Sequence, residues 1–470
     1  MVRIQIPPQK GNTMMIVFAR SLLFLLICLV AHPGPCGESG TESTMYFMEP
    51  PDVAESQNVE FQVHRPFYRQ PEMLWPTPLD KPGCWYMPVA SEVTADRIRL
   101  WYQRIDKSEP EYVNQRVLCL AEIRGGEFSI PKLDIFPSPW PAEQNVVMHR
   151  SPHKPTWGGF NVFQIVRQPD GKYAMLFWDQ PPTGEAGGMV AVSPDGLHWE
   201  LPSDQAVFTE HNDAFTLIWN TQRKEYFLYQ TRLEPWPDKP YPDNLDKFRR
   251  VISLRRSKDL KTWTPQETIL RPDSEDPIAM EFYLMKVFTY GNRYAGLLMR
   301  YQADPDRPGK HGSTTTTEFL ISDDGIAWRR PSRDTELGFW TYADPFPVGG
   351  DLCFAAYHKA GIALQRFRKD GLVSCGTDTE GSLTTHPFSA PETPILLNFD
   401  ALQGEIAVEA INERGRTIRG FSRDRCRFVG VEGTETPLRW DGNDLSKLNG
   451  KTIRLRFYLK LAQIYSLGLY

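Results

Sequence analysis

One heptapeptide occurs three times in the chain, as Ser193-Pro-Asp-Gly-Leu-His-Trp199, as Ser257-Lys-Asp-Leu-Lys-Thr-Trp263 and as Ser322-Asp-Asp-Gly-Ile-Ala-Trp328. The copies share the pattern S-x-D-[G/L]-x-x-W, and a proline follows each tryptophan within three residues. Their serines are 64 (257 − 193) and 65 (322 − 257) residues apart. A fixed period of this size is typical of a repeat architecture, in which each period builds one unit of the fold.

The heptapeptide predicts a tight turn followed by a packing group. Asp-Gly is a strong hairpin-turn signal, because glycine accepts a positive φ angle and the aspartate side chain hydrogen-bonds within its own turn. Tryptophan supplies a large apolar surface that packs between neighbouring sheets. We therefore interpret the motif as structural, a marker of repeated sheets rather than of a site.

A second pattern recurs five times, a polar turn followed by an apolar run rich in the residues that favour strands. The five turns contain Asp96, Gly171, Lys224, Asn292 and Asp351. Five units between residues 50 and 380 give 330/5 = 66 residues each, close to the heptapeptide spacing. This agreement predicts a five-bladed β-propeller over residues 50–380.

The period stops after residue 380. Strand-like segments near residues 405, 417 and 452 are separated by Asn and Gly turns, which predicts a small β-sandwich over residues 381–470. The expected fold class is therefore all-β, a five-bladed propeller followed by a small β-sandwich. The 40 prolines in 470 residues agree with it, because proline disfavours helical bundles.

The start of the chain has the pattern of an export signal. Residues 21–31 read SLLFLLICLVA and follow Arg20, and the small and polar stretch HPGPCGESG comes next. A charged residue, a short apolar core and small residues describe a secretory signal peptide, whereas a membrane-spanning helix needs about 20 apolar residues. We predict a signal peptide over residues 1–36 and export to the periplasm or the extracellular space, with no membrane span.

Composition and cysteine spacing restrict the classes of molecule that the protein is expected to bind. The formal net charge is −5 and no basic block is present, which argues against nucleic acid, because phosphate contact needs clustered Lys and Arg. The seven cysteines show no C-x-x-C spacing, so we expect no structural zinc, and the sequence identifies no metal ligands and no cofactor. In an oxidising compartment Cys353 and Cys375 are candidates for a disulfide, although sequence does not fix connectivity. The oligomeric state is left open.

Three carboxylates stand at similar places in successive blades. Asp213, Glu281 and Asp344 lie 20, 24 and 22 residues after the repeat serines (213 − 193, 281 − 257 and 344 − 322), next to the predicted first strands. First strands line the centre of a propeller, so these side chains are expected to converge. Facing carboxylates repel, which separates their pKa values into an acid and a base, as glycosidic bond hydrolysis requires.

The repeated motif, the five blades and the following sandwich resemble the five-bladed propeller glycosidases, the clan of invertases, levanases and arabinanases related to glycoside hydrolase families 32 and 43. The resemblance implies an Asp base or nucleophile, an orienting Asp and a Glu general acid at the channel. It assigns Glu281 as the acid and Asp213 as the orienting or basic carboxylate, with Asp344 as a further candidate. It also allows a channel Ca²⁺, for which the sequence shows no ligand loop.

The chain departs from this clan in its first two blades. The first-blade strand beginning at Trp85 has no acidic residue at its start, and the second blade has Asn161 in place of Asp. Two functions therefore stay open, an exported glycoside hydrolase and a non-catalytic propeller that binds glycan or protein. A sialidase-type propeller ranks last, because its Asp-box has one more residue between Asp and Trp.

Five further residues are candidates for substrate binding. An arginine near the channel can bind a carboxylate or sulfate with two hydrogen bonds, and a tryptophan can stack on a sugar ring. The histidines lie in connections next to the first three blades, and the asparagine lies at the start of a strand. The candidates are His149, Asn161, His211, Arg250 and Trp340.

Overall fold

The computed structural model describes residues 43–67, 72–74, 84–109, 115–136, 144–149, 159–210, 212–307, 309–358 and 361–469. These ranges contain strands, turns and short 3-10 segments and no α-helix, so the all-β prediction is confirmed. None of the helical segments described there has the length and apolar character needed to cross a membrane. The signal peptide predicted over residues 1–36 lies outside the described residues.

Four short strands come first and are divided between two sheets. They are β1 (Ser43–Tyr46), β2 (Val53–Gln57), β3 (Glu60–Val63) and β4 (Glu72–Met73). The first three belong to a large sheet built mainly from C-terminal residues, and β4 belongs to the last of five smaller sheets.

The five smaller sheets are antiparallel and follow one another along the chain, and we number them blades 1 to 5. Blade 1 contains β5 (Cys84–Val93), β6 (Ile98–Asp106), β7 (Arg116–Arg124), β8 (Glu127–Ser129) and β9 (Val146–His149). Blade 2 contains β10 (Asn161–Arg167), β11 (Tyr173–Asp179) and β12 (Gly187–Ser193). Blade 3 contains β13 (Phe215–Asn220), β14 (Glu225–Pro235), β15 (Phe248–Ser257) and β16 (Glu267–Leu270). Blade 4 contains β17 (Met280–Tyr290), β18 (Arg293–Gln302) and β19 (Thr314–Ser322), and blade 5 contains β20 (Phe346–Val348), β21 (Asp351–His358), β22 (Gly361–Phe367) and β4.

The five small sheets follow one another around a ring, and the first strands of blades 1 to 4 are neighbours in chain order. β5 lies beside β10, β10 beside β13, and β13 beside β17. Blades 4 and 5 share an apolar cluster that includes Leu297, Phe319 and Phe354, and β20 and β21 of blade 5 lie beside β5. Residues on the first strands therefore surround the centre of the ring.

Burial on both faces explains why the strands read as apolar runs rather than as alternating patterns. Every residue of β6 and of β11 is buried, because each of these strands has a neighbouring blade on both sides. Fully burying one Leu or Phe side chain contributes roughly 1.5–3 kcal/mol, so these strands supply much of the core.

The repeated heptapeptide forms the same turn in all three copies. In blade 2, Ser193 Oγ accepts a hydrogen bond from the Gly196 N–H (2.8 Å), and Asp195 Oδ1 accepts from the N–H groups of Leu197 and His198 (2.8 and 2.9 Å). Equivalent bonds recur in the other two copies. The fourth residue has a positive φ in each, +76° at Gly196, +62° at Leu260 and +76° at Gly325, which explains why glycine stands there twice.

These turns fasten neighbouring blades together. Trp101 Nε1 of blade 1 donates to the Gly196 carbonyl of the blade 2 turn (2.9 Å), and the Tyr229 hydroxyl of blade 3 donates to the Gly325 carbonyl of the blade 4 turn (2.8 Å). The tryptophans that end the motif pack into apolar clusters shared by adjacent blades, as the sequence predicts; they are Trp199, Trp263 and Trp328.

The C-terminal strands form one bent eight-stranded sheet with the N-terminal strands. They are β23 (Val373–Thr385), β24 (Phe388–Ser389), β25 (Leu396–Ile411), β26 (Arg427–Pro437) and β27 (Thr452–Leu469). The order is β2-β23-β27-β25-β26, with β1 and β24 on β27 and β3 on β23. Both halves of the long strands contribute to one apolar core around Phe399, Trp440 and Phe457.

Strand pairing gives this sheet different limits from the predicted module of residues 381–470. The C-terminal part of the sheet begins at residue 373. The sheet also contains β1, β2 and β3, which lie between residues 43 and 63. The physical reason is that β1 to β3 pair with strands more than 300 residues away, and a local period in the sequence carries no information about such pairing.

The five described cysteines are all buried and none forms a disulfide. The candidate pair Cys353 and Cys375 is therefore wrong. Cys353 packs in the core between blades 5 and 1, whereas Cys375 packs in the core of the C-terminal sheet.

Candidate active site

Asp213 lies two residues before β13, close to the centre of the ring. Its Oδ2 accepts a hydrogen bond from Asn161 Nδ2 at the start of β10 (3.0 Å), so the two predicted site residues from blades 3 and 2 meet. Burial raises the pKa of Asp213, while the positive charges of Lys310 and Arg116 oppose that rise without cancelling it. The site thus holds a carboxyl group that favours its protonated form more than an exposed aspartate does.

Two tyrosines and a lysine complete the surroundings of Asp213. Lys310 Nζ donates to the Tyr283 hydroxyl (2.6 Å), and its charge acts on Asp213. Burial raises the pKa of Tyr342, and the charges of Tyr283 and Asp213 raise it further, so Tyr342 lies within electrostatic range of both groups. We call the group Asn161, Asp213, Tyr283, Lys310 and Tyr342 the Asp213 site; it joins blades 2, 3 and 4 to residues just before β20 and after β18.

Glu281 is the second residue of β17 and is fully buried. Its Oε1 accepts hydrogen bonds from Lys239 Nζ (2.7 Å) and the Tyr241 hydroxyl (2.9 Å), and its Oε2 accepts from the backbone N–H (3.0 Å) and Nη1 (2.7 Å) of Arg250. Asp243 binds the same two cations, at 3.3 Å from Lys239 and 3.1 Å from Arg250. We call these five residues the Glu281 network.

The Glu281 network fixes the proline-rich loop between β14 and β15. Lys239, Tyr241 and Asp243 belong to this loop, and all three side chains are bound by Glu281, by Arg250 or by one another. A carboxylate with four donors and two cations around it has no free oxygen lone pair directed at a ligand. This arrangement suits a group that holds a loop in place better than one that donates a proton.

Asp344 lies two residues before β20 and forms an ion pair inside the ring. Its Oδ1 is 2.7 Å from Lys286 Nζ, and Lys286 also donates to Gln164 Oε1 of β10 (2.9 Å). Lys286 is fully buried, and burial lowers its pKa while Asp344 opposes that change. The Asp344 side chain keeps 42% of its surface exposed, so this carboxyl group is both paired with a lysine and reachable by solvent.

The structure therefore gives three different surroundings to the three predicted carboxylates. Among the described residues, no hydrogen bond joins any two of Asp213, Glu281 and Asp344. Asp213 is paired with an amide, Glu281 with two buried cations and two further donors, and Asp344 with one buried lysine.

The remaining predicted binding residues are dispersed. His149 ends β9 in the outer part of blade 1, where its ring contacts Phe136, and burial together with Arg104 lowers its pKa. Arg250 reaches Glu281 from the third strand of blade 3 and is not available to a substrate carboxylate. Trp340 packs edge-to-face against Tyr342 (5.8 Å), next to the Asp213 site. His211 lies outside the described residues.

Sequence reasoning missed the cations and tyrosines that decide these surroundings. Lys286 was a readable signal, because it interrupts an otherwise apolar run in β17. Lys239 and Tyr241 lie in the loop that the sequence marks only as rich in proline. Lys310 and Tyr342 carry no local pattern, since their meaning depends on contacts with other blades. In the described ranges, no group of three or more His, Cys, Asp or Glu is placed to hold a metal ion.

Comparisons with known proteins find similarity in structure only. No protein-family profile and no curated protein matches the chain. A solved glycoside hydrolase is 14% identical with a TM-score of 0.43 and covers 64% of this chain and 92% of its own. The GH32 β-fructofuranosidase BmSUC1 of Bombyx mori is 10% identical with a TM-score of 0.40 and covers 82% and 91%. A thermostable family-43 glycoside hydrolase is 11% identical with a TM-score of 0.36 and covers 64% and 84%. TM-scores below 0.5 at such identities carry no inference about catalysis, and no residue role is taken from them.

Proposed function

We propose that the chain is a glycoside hydrolase that binds a glycan at the Asp213 site and cleaves a glycosidic bond with Asp213 as the general acid. The observation that carries the proposal is the surroundings of Asp213, where burial raises the pKa of the carboxyl and an asparagine is its side-chain hydrogen-bond partner. A general acid must hold its proton near neutral pH, and burial is the usual way to achieve this.

Asp344 is the proposed charged partner of this acid. Asp344 contacts the ammonium group of Lys286 and keeps part of its surface exposed, and a base or nucleophile must likewise be held in place and be reachable by the substrate. Glu281, to which the family resemblance gives the acid role, is instead proposed to position the loop. Lys310, Tyr283 and Tyr342 supply a cation and two aromatic rings with hydroxyl groups, which suit the polar and C–H faces of a sugar ring.

Hydrolysis of neutral and acidic oligosaccharides, measured by release of reducing ends, tests the assignment. Asp213→Asn removes the transferable proton and keeps the size and the contact with Asn161. We expect kcat/KM to fall by about 100- to 10,000-fold, the usual contribution of a general acid. Asp344→Asn should also reduce turnover, because the carboxyl group proposed as base or nucleophile is lost.

The matched control is Asp334→Asn, which makes the same chemical change at an exposed aspartate outside the site. It should hydrolyse the same glycan at the wild-type rate. Wild-type turnover in Asp213→Asn would refute the acid role. No hydrolysis of any glycan by the wild-type protein would refute the enzyme proposal itself.

A second candidate function is a propeller that binds glycan without cleaving it. The observation in its favour is that both oxygens of Glu281 are occupied by the Glu281 network, and that among the described residues no second carboxyl group is hydrogen-bonded to Asp213. In this case a glycan would bind the wild-type protein and be recovered intact after prolonged incubation. Binding would then survive Asp213→Asn, because the amide retains hydrogen-bonding capacity.

Export is proposed on the sequence pattern of residues 1–36 alone. N-terminal sequencing of the protein recovered outside the cytoplasm should give a first residue near Cys36. Recovery of the full-length chain from the cytoplasm would contradict the proposal.

A further inference from the structure

A cleft of about 740 Å³ lies on the C-terminal sheet. Apart from Ser332, its lining residues belong to β3 and the residue Asn58 before it, and to β23, β25 and β27. Its volume falls within the range of about 300–1,000 Å³ that is typical of small-molecule sites. The Asp213 site contributes no residue to this lining, so the cleft is a separate feature of the fold.

The cleft forms where three neighbouring strands bend together. The pairing of β23 with β27 shifts between Thr377 and Glu380, and that of β25 with β27 shifts between Asp400 and Glu405. On β27, Leu461 has a φ of +46°, a left-handed conformation that costs a non-glycine residue energy. These irregularities lie side by side in three adjacent strands. Such irregularities bend strands, and here they accompany the cleft. We call this feature the crease cleft.

One wall of the crease cleft is held by a hydrogen-bond chain. His64 Nε2 and Ser374 Oγ are 2.7 Å apart, and the Ser374 hydroxyl donates to Gln463 Oε1 (2.9 Å). Burial and then the charge of Arg368 lower the pKa of His64 to about 4, so the ring is neutral near pH 7. These hydrogen bonds therefore fix the side chain of Gln463 at the cleft, and the neutral His64 ring places no positive charge beside it.

The chemistry of the lining selects a class of ligand. Most lining side chains end in hydroxyl, amide or carboxylate groups, and no Lys or Arg lines the cleft within the described part of the chain. Glu60, Asp378 and Asp400 give the lining three acidic groups, which disfavours an anionic ligand. Hydroxyl groups both donate and accept, so a ligand rich in hydroxyls satisfies amides and carboxylates alike.

Apolar surface at the same place adds to this selection. Leu402 and Leu461 line the crease cleft and leave 54% and 45% of their surface exposed. Exposed leucines in an otherwise polar cleft offer a contact for C–H groups, and a sugar ring presents both C–H and hydroxyl groups. From these observations we infer that the crease cleft is a second carbohydrate-binding site, separate from the Asp213 site and specific for uncharged sugars.

Affinity electrophoresis of the whole protein tests this site. Gels contain arabinan, xylan, galactomannan or a β-glucan as neutral probes and polygalacturonate as the acidic probe, and mobility is compared with a gel without polysaccharide. At least one neutral polysaccharide should retard the protein. Any retardation by polygalacturonate should be the same for the wild type and for a variant altered in the crease cleft. The double variant Asp378→Ala, Gln403→Ala should weaken the neutral interaction by about tenfold, the loss expected for two hydrogen bonds.

The double variant is chosen because both side chains are exposed and neither makes a hydrogen bond within the described chain, so folding should be unaffected. Val429→Ala, at a residue 60% exposed on the same sheet but outside the cleft, is the matched control and should behave as wild type. The double variant Asp213→Asn, Lys310→Gln reports on the other site and should retain the retardation.

Three results would overturn the inference. They are the absence of retardation by every neutral polysaccharide, equal retardation of the wild type and the Asp378→Ala, Gln403→Ala variant, and loss of retardation only in the Asp213→Asn, Lys310→Gln variant. The last result would assign carbohydrate binding to the Asp213 site, and hydrolysis assays on that site are independent of this outcome.

Discussion

Asp213 and Glu281 stand next to the starts of neighbouring inner strands, yet they belong to opposite kinds of environment. Asp213 has an amide as its side-chain hydrogen-bond partner, and burial raises its pKa. Glu281 is fully buried among Lys239, Tyr241 and Arg250, which donate four hydrogen bonds to it. One carboxyl group is hydrogen-bonded to an uncharged side chain, and the other belongs to an ion-pair network.

The difference shows that equivalent positions in a repeat do not give equivalent chemistry. Asp213 is hydrogen-bonded to an uncharged amide, whereas two cations bind Glu281 directly. Burying an ion pair costs desolvation free energy that its attraction must offset, and the Glu281 network ties three residues of the loop between β14 and β15 to β15 and β17.

The largest expected effect is a loss of stability when Glu281, but not Asp213, is replaced by its amide. Glu281→Gln leaves Lys239 and Arg250 buried with Asp243 as their remaining carboxylate, and it turns an amide N–H₂ toward groups that donate. Removing one partner of a buried ion pair typically costs about 3–5 kcal/mol. We expect a loss of this size in the free energy of unfolding, measured by urea denaturation.

The unfolding of Glu281→Gln is compared with that of Asp213→Asn and of Asp246→Asn. Asp246 is exposed on the loop between β14 and β15. Both should unfold within about 1 kcal/mol of the wild type, as surface or isosteric changes usually do. The comparison would break if Glu281→Gln unfolded like the wild type and lost hydrolysis completely, since that result would return the acid role to Glu281.

A smaller effect is expected on the pH dependence of activity, because the charge of Lys310 lowers the pKa of Asp213. Lys310 lowers the pKa of Asp213, so Lys310→Gln should raise it further. A general acid is active while protonated, and activity falls as pH rises through its pKa. The alkaline limb of the kcat/KM profile should therefore move to higher pH in Lys310→Gln.

Lys447→Gln changes the same residue type on the C-terminal part of the chain, where Lys447 contacts Asn443, and it should leave the profile in place. A shift of the alkaline limb to lower pH in Lys310→Gln would show that Asp213 is not the group that the profile reports.

The sequence was informative where interactions are local and failed where they are distant. The heptapeptide turn could be predicted because its hydrogen bonds close within six residues, from Ser193 to His198. The surroundings of Glu281 could not, because Lys239 and Arg250 are separated from it by 42 and 31 positions and reach it from another blade. The N-terminal strands of the C-terminal sheet escaped prediction for the same reason.

The aspartates of the repeated heptapeptide lie in yet another kind of environment and give the smallest expected effect. The N–H groups of Thr262 and Lys261 hold the pKa of Asp259 below its usual range. Asp259 is exposed, so this interaction is weakened by solvent, and Asp259→Ala should cost only about 1 kcal/mol in urea denaturation, the usual net value of a hydrogen bond. Because the folded-state pKa is lowered, that contribution is complete above the unfolded pKa and is lost as pH falls through the folded value. The difference in stability between the wild type and Asp259→Ala should therefore shrink in acid, and a difference that grew in acid would show that the carboxylate is not what binds the turn.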